Sequence, residues 1–466
     1  MKFRSIFKGI AGFAVGVCLV SQLKAAGPEV FSITNFGASG DGKTVNTEAI
    51  QKTIDAAAKN GGVVEVPAGI FLTGAVFLKS KVELHLEAGA TLRAVTNETA
   101  YPLVQTRIAG IEMPWPAAVV NVMGQHDVKV TGAGTIDGDG SYWWHKFWGE
   151  DYKSGMLGDY TARGLRWAVD YDCQRVRALV FYDSKDVEVK GITIARSGFW
   201  SLTFTYCERA HVDGLIVDAN RGGHGPSSDG IDIDSSRDIL VENCDIDCND
   251  DDICLKAGRD ADGLRVNRPT EKIVIRNCIT RGGQGMFTIG SETSGGIHDV
   301  EVSGIQAIGT TSGVRFKSSG QRGGVVSNIR IHDIQMTNVA TPFEFNLDWY
   351  RAYSVPTLPP EYTSDKIPVH WKTLMEPVVP AERGVPEFTD VHFSNITVAG
   401  AKTAILANAF KAKPLLGFTW TNVVIEAGTA GKINNATDWG MNKLVIRATD
   451  HKPMKLSGVV NVPMPD

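Results

Sequence analysis

The chain has 466 residues, 43% of them hydrophobic and 21% charged, a balance that supports a folded core and excludes a disordered chain. A formal charge of −5 and a pI near 6.1 leave no basic footprint for nucleic acid, although lysines and arginines gathered in one cleft could still meet an anionic ligand. The 50 glycines, about 11% of the chain, follow no Gly-X-Y period, which excludes collagen and implies many turns between short strands.

At the N-terminus, Lys2, Arg4 and Lys8 precede an apolar run from Ile10 to Val20, followed by Ala25, Ala26 and Gly27. This is the layout of a signal peptide over residues 1–25, and it predicts a periplasmic or secreted protein. The apolar run is too short to span a bilayer comfortably, and no later stretch offers a membrane span. Lipoprotein anchoring through Cys18 is the lesser alternative, because Val17 is a poor residue before a lipobox cysteine. Next, Asn46 to Asn60 carries apolar residues at Ala49, Ile50, Ile54 and Ala57, a helical spacing with Asn46 as N-cap and Gly61-Gly62 as terminator. We read it as an amphipathic cap over the strand-rich region that opens with VVEVPAGIFLTG.

From there one short pattern recurs, two β-formers flanking one residue and then Gly, Asn or Asp, as in DVEVKGITI at 186–194 and DVEVSGIQA at 299–307. Its anchors fall at Gly191, Gly214, Asn243, Asn277, Gly304 and Asp333, between 23 and 34 residues apart. A period of that size without leucine-rich or helical consensus is a solenoid signature, and a parallel β-helix fits best. The three domains that length alone suggests therefore give way to one, spanning residues 27–466 after the leader. Two aromatic-rich stretches interrupt the rhythm near 141–172 and 338–389, as binding walls or as cover for the flank of the coil. Six cysteines remain after the leader: Cys173, Cys207, Cys244, Cys248, Cys254 and Cys278. They are expected to be buried small hydrophobes, with a disulfide framework as the alternative.

The acidic residues concentrate in SSDGIDIDSSRDILVENCDIDCNDDDICLKAG, residues 227–258. Asp229 precedes Asp251 by 22 residues, about one coil, so stacking would bring Asp229 against Asp250 and Asp251. Crowded carboxylates raise at least one pKa, which suits acid–base catalysis. A calcium site or a solvated turn would use the same residues. Further on, Arg315 and Lys317 alternate onto one face of a strand, where they would grip an acidic sugar or neutralise the aspartates.

The ordered blocks SSDGID (227–232), NDDDICLK (249–256), GGQG…IGSETSGG (282–296) and GVRFK (313–317) resemble glycoside hydrolase family 28, the polygalacturonases and rhamnogalacturonases, and its bacterial exported members in particular. The resemblance implies an all-β, right-handed parallel β-helix and inverting hydrolysis of galacturonic-acid-containing α-glycosidic bonds in a pectic poly- or oligosaccharide, without metal or other cofactor. By the same resemblance Asp250 is the general acid, Asp229 and Asp251 activate water, and Arg315 and Lys317 hold the galacturonate carboxylate. A register one residue later would make the pair Asp251–Asp252. The chain departs from the family in reading Ser227-Ser228-Asp229 where the first triad begins with Asn, and Gly283-Gln284-Gly285 where polygalacturonases carry Gly-His-Gly. Gln284 thus becomes a candidate substrate contact, rhamnogalacturonan enters as a substrate, and His224 is the candidate replacement imidazole. The insertions favour exo action, and the chain is expected to be a monomer. Two other functions remain open: a calcium-dependent pectate lyase on the same kind of coil, and a non-catalytic carbohydrate-binding β-helix.

Overall fold

The computed structural model describes residues 1–2, 28–363 and 366–465. The leader expected over 1–25, with Cys18, lies outside the described residues apart from Met1 and Lys2. No helix among the described residues is long and apolar enough to cross a membrane.

The chain is a right-handed parallel β-helix. Each coil contributes up to three short strands, and each strand pairs in parallel with its counterpart one coil on. The front sheet climbs through Val76–Leu78, Val120–Met123, Leu179–Tyr182, Leu202–Thr205, Ile231–Asp234, Asp251–Lys256, Gly285–Ile289, Ser312–Lys317 and Thr341–Asn346. A second sheet includes Lys185–Lys190, Glu208–Asp213, Arg237–Glu242 and Thr270–Arg276, and a third Thr193–Ala195, Ile216–Asp218 and Asp245–Asp247. Inward side chains of all three form one continuous apolar core from Ile33 to Met454. Aromatic rings stack within it coil upon coil, as Phe181 does on Phe204 at 5.0 Å.

The repeat anchors mark the corner between the second and third sheets. All six have positive φ, from +55° at Asn277 to +75° at Gly191, the left-handed bend that Gly and Asn tolerate best. Where the anchor is polar it also bonds along the stack: the Asn395 amide donates to Asp333 at 3.1 Å, and that of Asn422 to Asn395 at 2.9 Å. A second left-handed position, read from the sequence only as the start of the pattern, recurs at Asp186, Arg209, Asp238, Lys272, Asp299, Asn328 and Asp390, with φ between +53° and +58°. Strand pairing skips these residues in the second sheet, so they form a stacked bulge.

The N-terminal helix runs over Thr47–Ala57 and buries Ile50, Thr53, Ile54 and Ala57, as the spacing predicts. Asn46 stands at its start but makes no capping bond; its buried amide instead accepts from the Ser39 N–H at 2.7 Å and donates to the Thr44 carbonyl at 2.7 Å, tying down the preceding loop. Gln51 reaches from the helix to the first front-sheet strand, accepting from the Phe77 N–H at 2.8 Å and donating to its carbonyl at 3.1 Å. All six cysteines are buried and none is in a disulfide.

The first irregular stretch folds as short helices, Ser141–Trp148, Met156–Ala162 and Val169–Asp172. The second begins later than the sequence suggests. Thr341–Asn346 is an ordinary front-sheet strand, hidden by the aromatic composition around it, and the insertion proper lies between Asn346 and the strand that starts at Glu387. An antiparallel hairpin, Leu103–Ile108 with Ile111–Pro116, joins them; the sequence pattern gave no notice of it. Its turn, Ala109-Gly110, has φ of +40° and +87°, and a Cβ on Gly110 would lie 2.5 Å from Arg259, so only glycine fits there. Trp115, Leu165, Trp167, Tyr171, Trp371 and Leu374 pack these three pieces into a separate apolar lobe over the front sheet.

Candidate active site

Between the lobe and the front sheet lies an open-mouthed pocket of about 840 Å³, the solvent at its mouth included. Its floor is built from consecutive coils. Ile231 pairs with Ile253, and the Gly230 N–H donates to the Asp251 carbonyl at 3.0 Å, so Asp229 lies one coil before the Asp250–Asp251 pair. Asp229 and Asp250 line the pocket. The side chain of Asp251 is fully buried behind them, and the carboxylates of Asp229 and Asp251 lie within 4.8 Å of each other and of the Cys254 sulfur.

Strict alternation from Ile253 and Leu255, which face the core, would send Asp251 inward too. The register prevents this. Pairing passes from Asp251–Gly285 to Ile253–Phe287, skipping Asp252 and Met286, and the next coil skips Gly313. This stacked bulge turns Asp251 toward the face of Cys254 and Thr288, and Thr288 donates its hydroxyl to Asp251 at 2.8 Å. Asp252 goes elsewhere. It is fully buried, accepts from the Cys248 thiol at 3.3 Å, and does not line the pocket.

Arg315 and Lys317 project together as alternation predicts, and both line the pocket. Their first partner is Asp251: Lys317 Nζ lies 2.6 Å from one oxygen and Arg315 Nη1 3.1 Å from the other. Arg315 is shared with Glu344, whose carboxylate lies 3.5 Å from its Nε, whereas Asp251 is the one ion-pair partner of Lys317 among the described residues. Lys256, which the sequence reading left unassigned, is the hub of the floor. Its ammonium lies 3.3 Å from Asp232, 3.6 Å from Asp229 and 3.7 Å from Glu292, and 5.3 Å from the Trp200 ring. Counting from Cys254 would have placed it on the pocket face, but its carboxylate partners are set by the stacking of three coils. Gln284 lines the pocket half-buried, whereas His224 does not reach it. His224 is exposed and stacked on Tyr152 at 5.4 Å, because the helical insertion draws its loop outward; the expected replacement imidazole is absent from the pocket.

These surroundings split the carboxyl groups. Burial, with the Asp232 and Asp250 charges added, holds Asp229 well above the usual carboxylate range, although Lys256 opposes this. Burial and then the neighbouring Asp251 raise Asp250. Burial would raise Asp251 as well, but Lys317 and Arg315 overcome it and hold that carboxyl well below the usual range. The two carboxyls that line the pocket are thus pushed toward the protonated form and Asp251 behind them toward the ionised one, a division of the kind acid–base cleavage uses. Arg315 and Lys317 already occupy both oxygens of Asp251, and the third group beside Asp229 and Asp251 is the Cys254 sulfur, a donor set unlike the six to eight oxygens that calcium takes.

Carboxyl groups that titrate apart beneath a wall of Trp and Tyr are what protonation of a sugar acetal demands, and fold and site together define a glycoside hydrolase. Residues 59–357 match the profile of glycosyl hydrolases family 28, and the chain belongs to that family. It is 31% identical to a probable polygalacturonase of Vitis vinifera over 67% of its length, a stretch that spans 62% of the Vitis protein. It is 26% identical to an exo-poly-alpha-D-galacturonosidase of Dickeya chrysanthemi, covering 95% of this chain and 75% of that one. Among solved structures it is similar to an exopolygalacturonase of Thermotoga maritima, with a TM-score of 0.72, 25% identity, and coverage of 94% of this chain and 92% of the other. Family membership sets aside the lyase and the non-catalytic readings of the sequence.

Proposed function

We propose that the chain is an inverting, exo-acting polygalacturonase that removes acidic sugars from the end of a pectic chain. Asp250 donates its proton to the glycosidic oxygen as the C–O bond breaks. Asp229 and Asp251 act as a pair to activate the water that adds to the opposite face of the anomeric carbon, Asp229 facing the pocket and Asp251 behind it. Arg315 and Lys317 hold a galacturonate carboxylate with the donors that Asp251 leaves free. The observation that carries the reading is the walled cleft: hairpin 103–116 and the two insertions flank an open-mouthed pocket whose floor holds the split carboxyl groups. The names of the Dickeya and Thermotoga relatives support exo action.

Rhamnogalacturonan stands as the second reading because a neutral amide, Gln284, lines the pocket where polygalacturonases of the family place a histidine. The test is a product profile on galacturonan and rhamnogalacturonan oligomers of defined length, with the first-formed anomer read by NMR. Terminal release of an inverted uronic acid from galacturonan is expected. A random ladder of internal fragments would sink exo action, and retention of configuration would sink the mechanism. Export through the leader is part of the proposal; processing to a mature N-terminus near residue 26, read by mass spectrometry of the exported protein, tests it.

A further inference from the structure

Besides Lys256, Arg315 and Lys317, the pocket holds a fourth cation, on a different piece of the chain. Arg166 comes from the 141–172 insertion and lines the pocket with its side chain 18% exposed. Its guanidinium is fixed from three directions: Nη1 donates to Asp170 at 2.6 Å, and its centre lies 5.3 Å from the Tyr350 ring and 5.4 Å from the Tyr353 ring. Among the described residues, Nη1 is its one nitrogen with a hydrogen bond, which leaves Nε and Nη2 as donors without a partner. Asp170 is itself shared, since its other oxygen lies 3.4 Å from the buried Arg175. Arg166 and Arg175 thus share one carboxylate, and Arg166 is the one of the two that lines the cavity. Aromatic side chains join Arg166 to Lys317, Lys317 resting over Trp349 at 4.8 Å and Trp349 meeting Tyr350 at 5.7 Å.

We infer that Arg166 is a second carboxylate-recognition residue, so that the preferred substrate end carries two free uronate groups, one at Arg315 and Lys317 and the other at Arg166. The inference rests on the polygalacturonase reading above. A planar guanidinium already oriented by stacking and one ion pair loses little freedom when a second carboxylate arrives. A methyl ester at that sugar would offer only a neutral carbonyl acceptor and lose the charge that strengthens the bond.

The test measures kcat/KM of wild type and Arg166→Gln on trigalacturonate and on three trimers, each methyl-esterified at a different sugar. A charge-assisted pair of this kind is expected to be worth roughly 10–100-fold. At one sugar, distinct from the one read by Arg315 and Lys317, the ester should slow the wild type by about that factor and slow Arg166→Gln no further. Ester penalties that are identical in wild type and variant at every position would overturn the proposal, because a residue that only braces the wall lowers all substrates alike. Melting temperature is recorded in parallel. If Arg166→Gln does not fold, Arg166→Lys carries the test, and there the penalty at that one sugar should shrink without vanishing; an unchanged penalty counts against the proposal. A wild type that cleaves no unesterified trimer would fail the polygalacturonase reading itself, before any variant is compared.

Discussion

The front and second sheets are built by the same rule, parallel strands stacked coil on coil, yet their outward faces differ. On the second sheet the outward residues are solvated, as in Arg237–Glu242 and Glu208–Asp213, and their charges pair across coils in water, Lys190 with Asp213 at 2.9 Å and Arg276 with Glu242 at 2.7 Å. On the front sheet Asp251–Lys256 is buried at every position, because the lobe roofs it. Similar ion pairs thus have different consequences. In water they are screened and weak; beneath the roof, burial raises Asp229 and Asp250 while the poorly screened charges of Lys317 and Arg315 hold Asp251 low. The coil supplies positions, and the roof turns positions into chemistry.

Asp250→Asn should break the roofed side of this contrast most completely, lowering kcat by about 10³-fold by removing the proton donor. A substrate with an aryl leaving group, which needs little protonation, should recover much of the rate; equal loss on both would argue against Asp250 as acid. Asp251→Asn should inactivate as well, but it should also destabilise by about 3–5 kcal/mol, because buried Lys317 would lose its ion-pair partner and Arg315 would keep only Glu344. Chemical denaturation separates the two variants, since Asp250→Asn leaves both cations matched.

The pH profile sharpens the same contrast. Asp250 acts protonated and its carboxyl is raised, so kcat/KM falls as pH rises through that value. Asp251 acts ionised and is held low, so its limb lies at more acid pH, and activity falls as pH drops through it. Stability carries a further sign. Burial would raise Glu292, but Lys256 and Arg322 hold it at about 2 against an ordinary 4.5, so its contribution is present above 4.5 and is lost as pH falls toward 2. Lys256→Met should move this loss to higher pH, and an unchanged acid unfolding midpoint would show that Lys256 is not what holds Glu292 down.

The smallest effect belongs to the solvated sheet. Arg276→Gln should leave activity and melting temperature unchanged within error, and so should His224→Ala for activity. A measurable fall in kcat for His224→Ala would mean that its loop reaches the substrate in solution.

Much of this was legible in the sequence because a β-helix repeats. The anchors from Gly191 to Asp333 disclosed the corners, and the 22-residue offset put Asp229 under Asp251. The roof was not legible, since hairpin 103–116 has no repeat and its turn relies on Ala109-Gly110, a weak signal. Nor was the bulge at Asp252, which alternation cannot foresee and which decides that Asp251 meets Lys317 instead of the core. Arg166 and Lys256 were passed over for a related reason: their partners come from different coils and from the insertion, and nothing local marks them.

The bonds from Gln51 to the backbone of Phe77 also decide where the molecule ends. A stack of parallel strands has no intrinsic length, and an uncovered terminal strand offers a row of donors and acceptors to the next chain that arrives. By filling the positions a further coil would occupy, one glutamine on one helix helps keep the solenoid a particle rather than the seed of a filament.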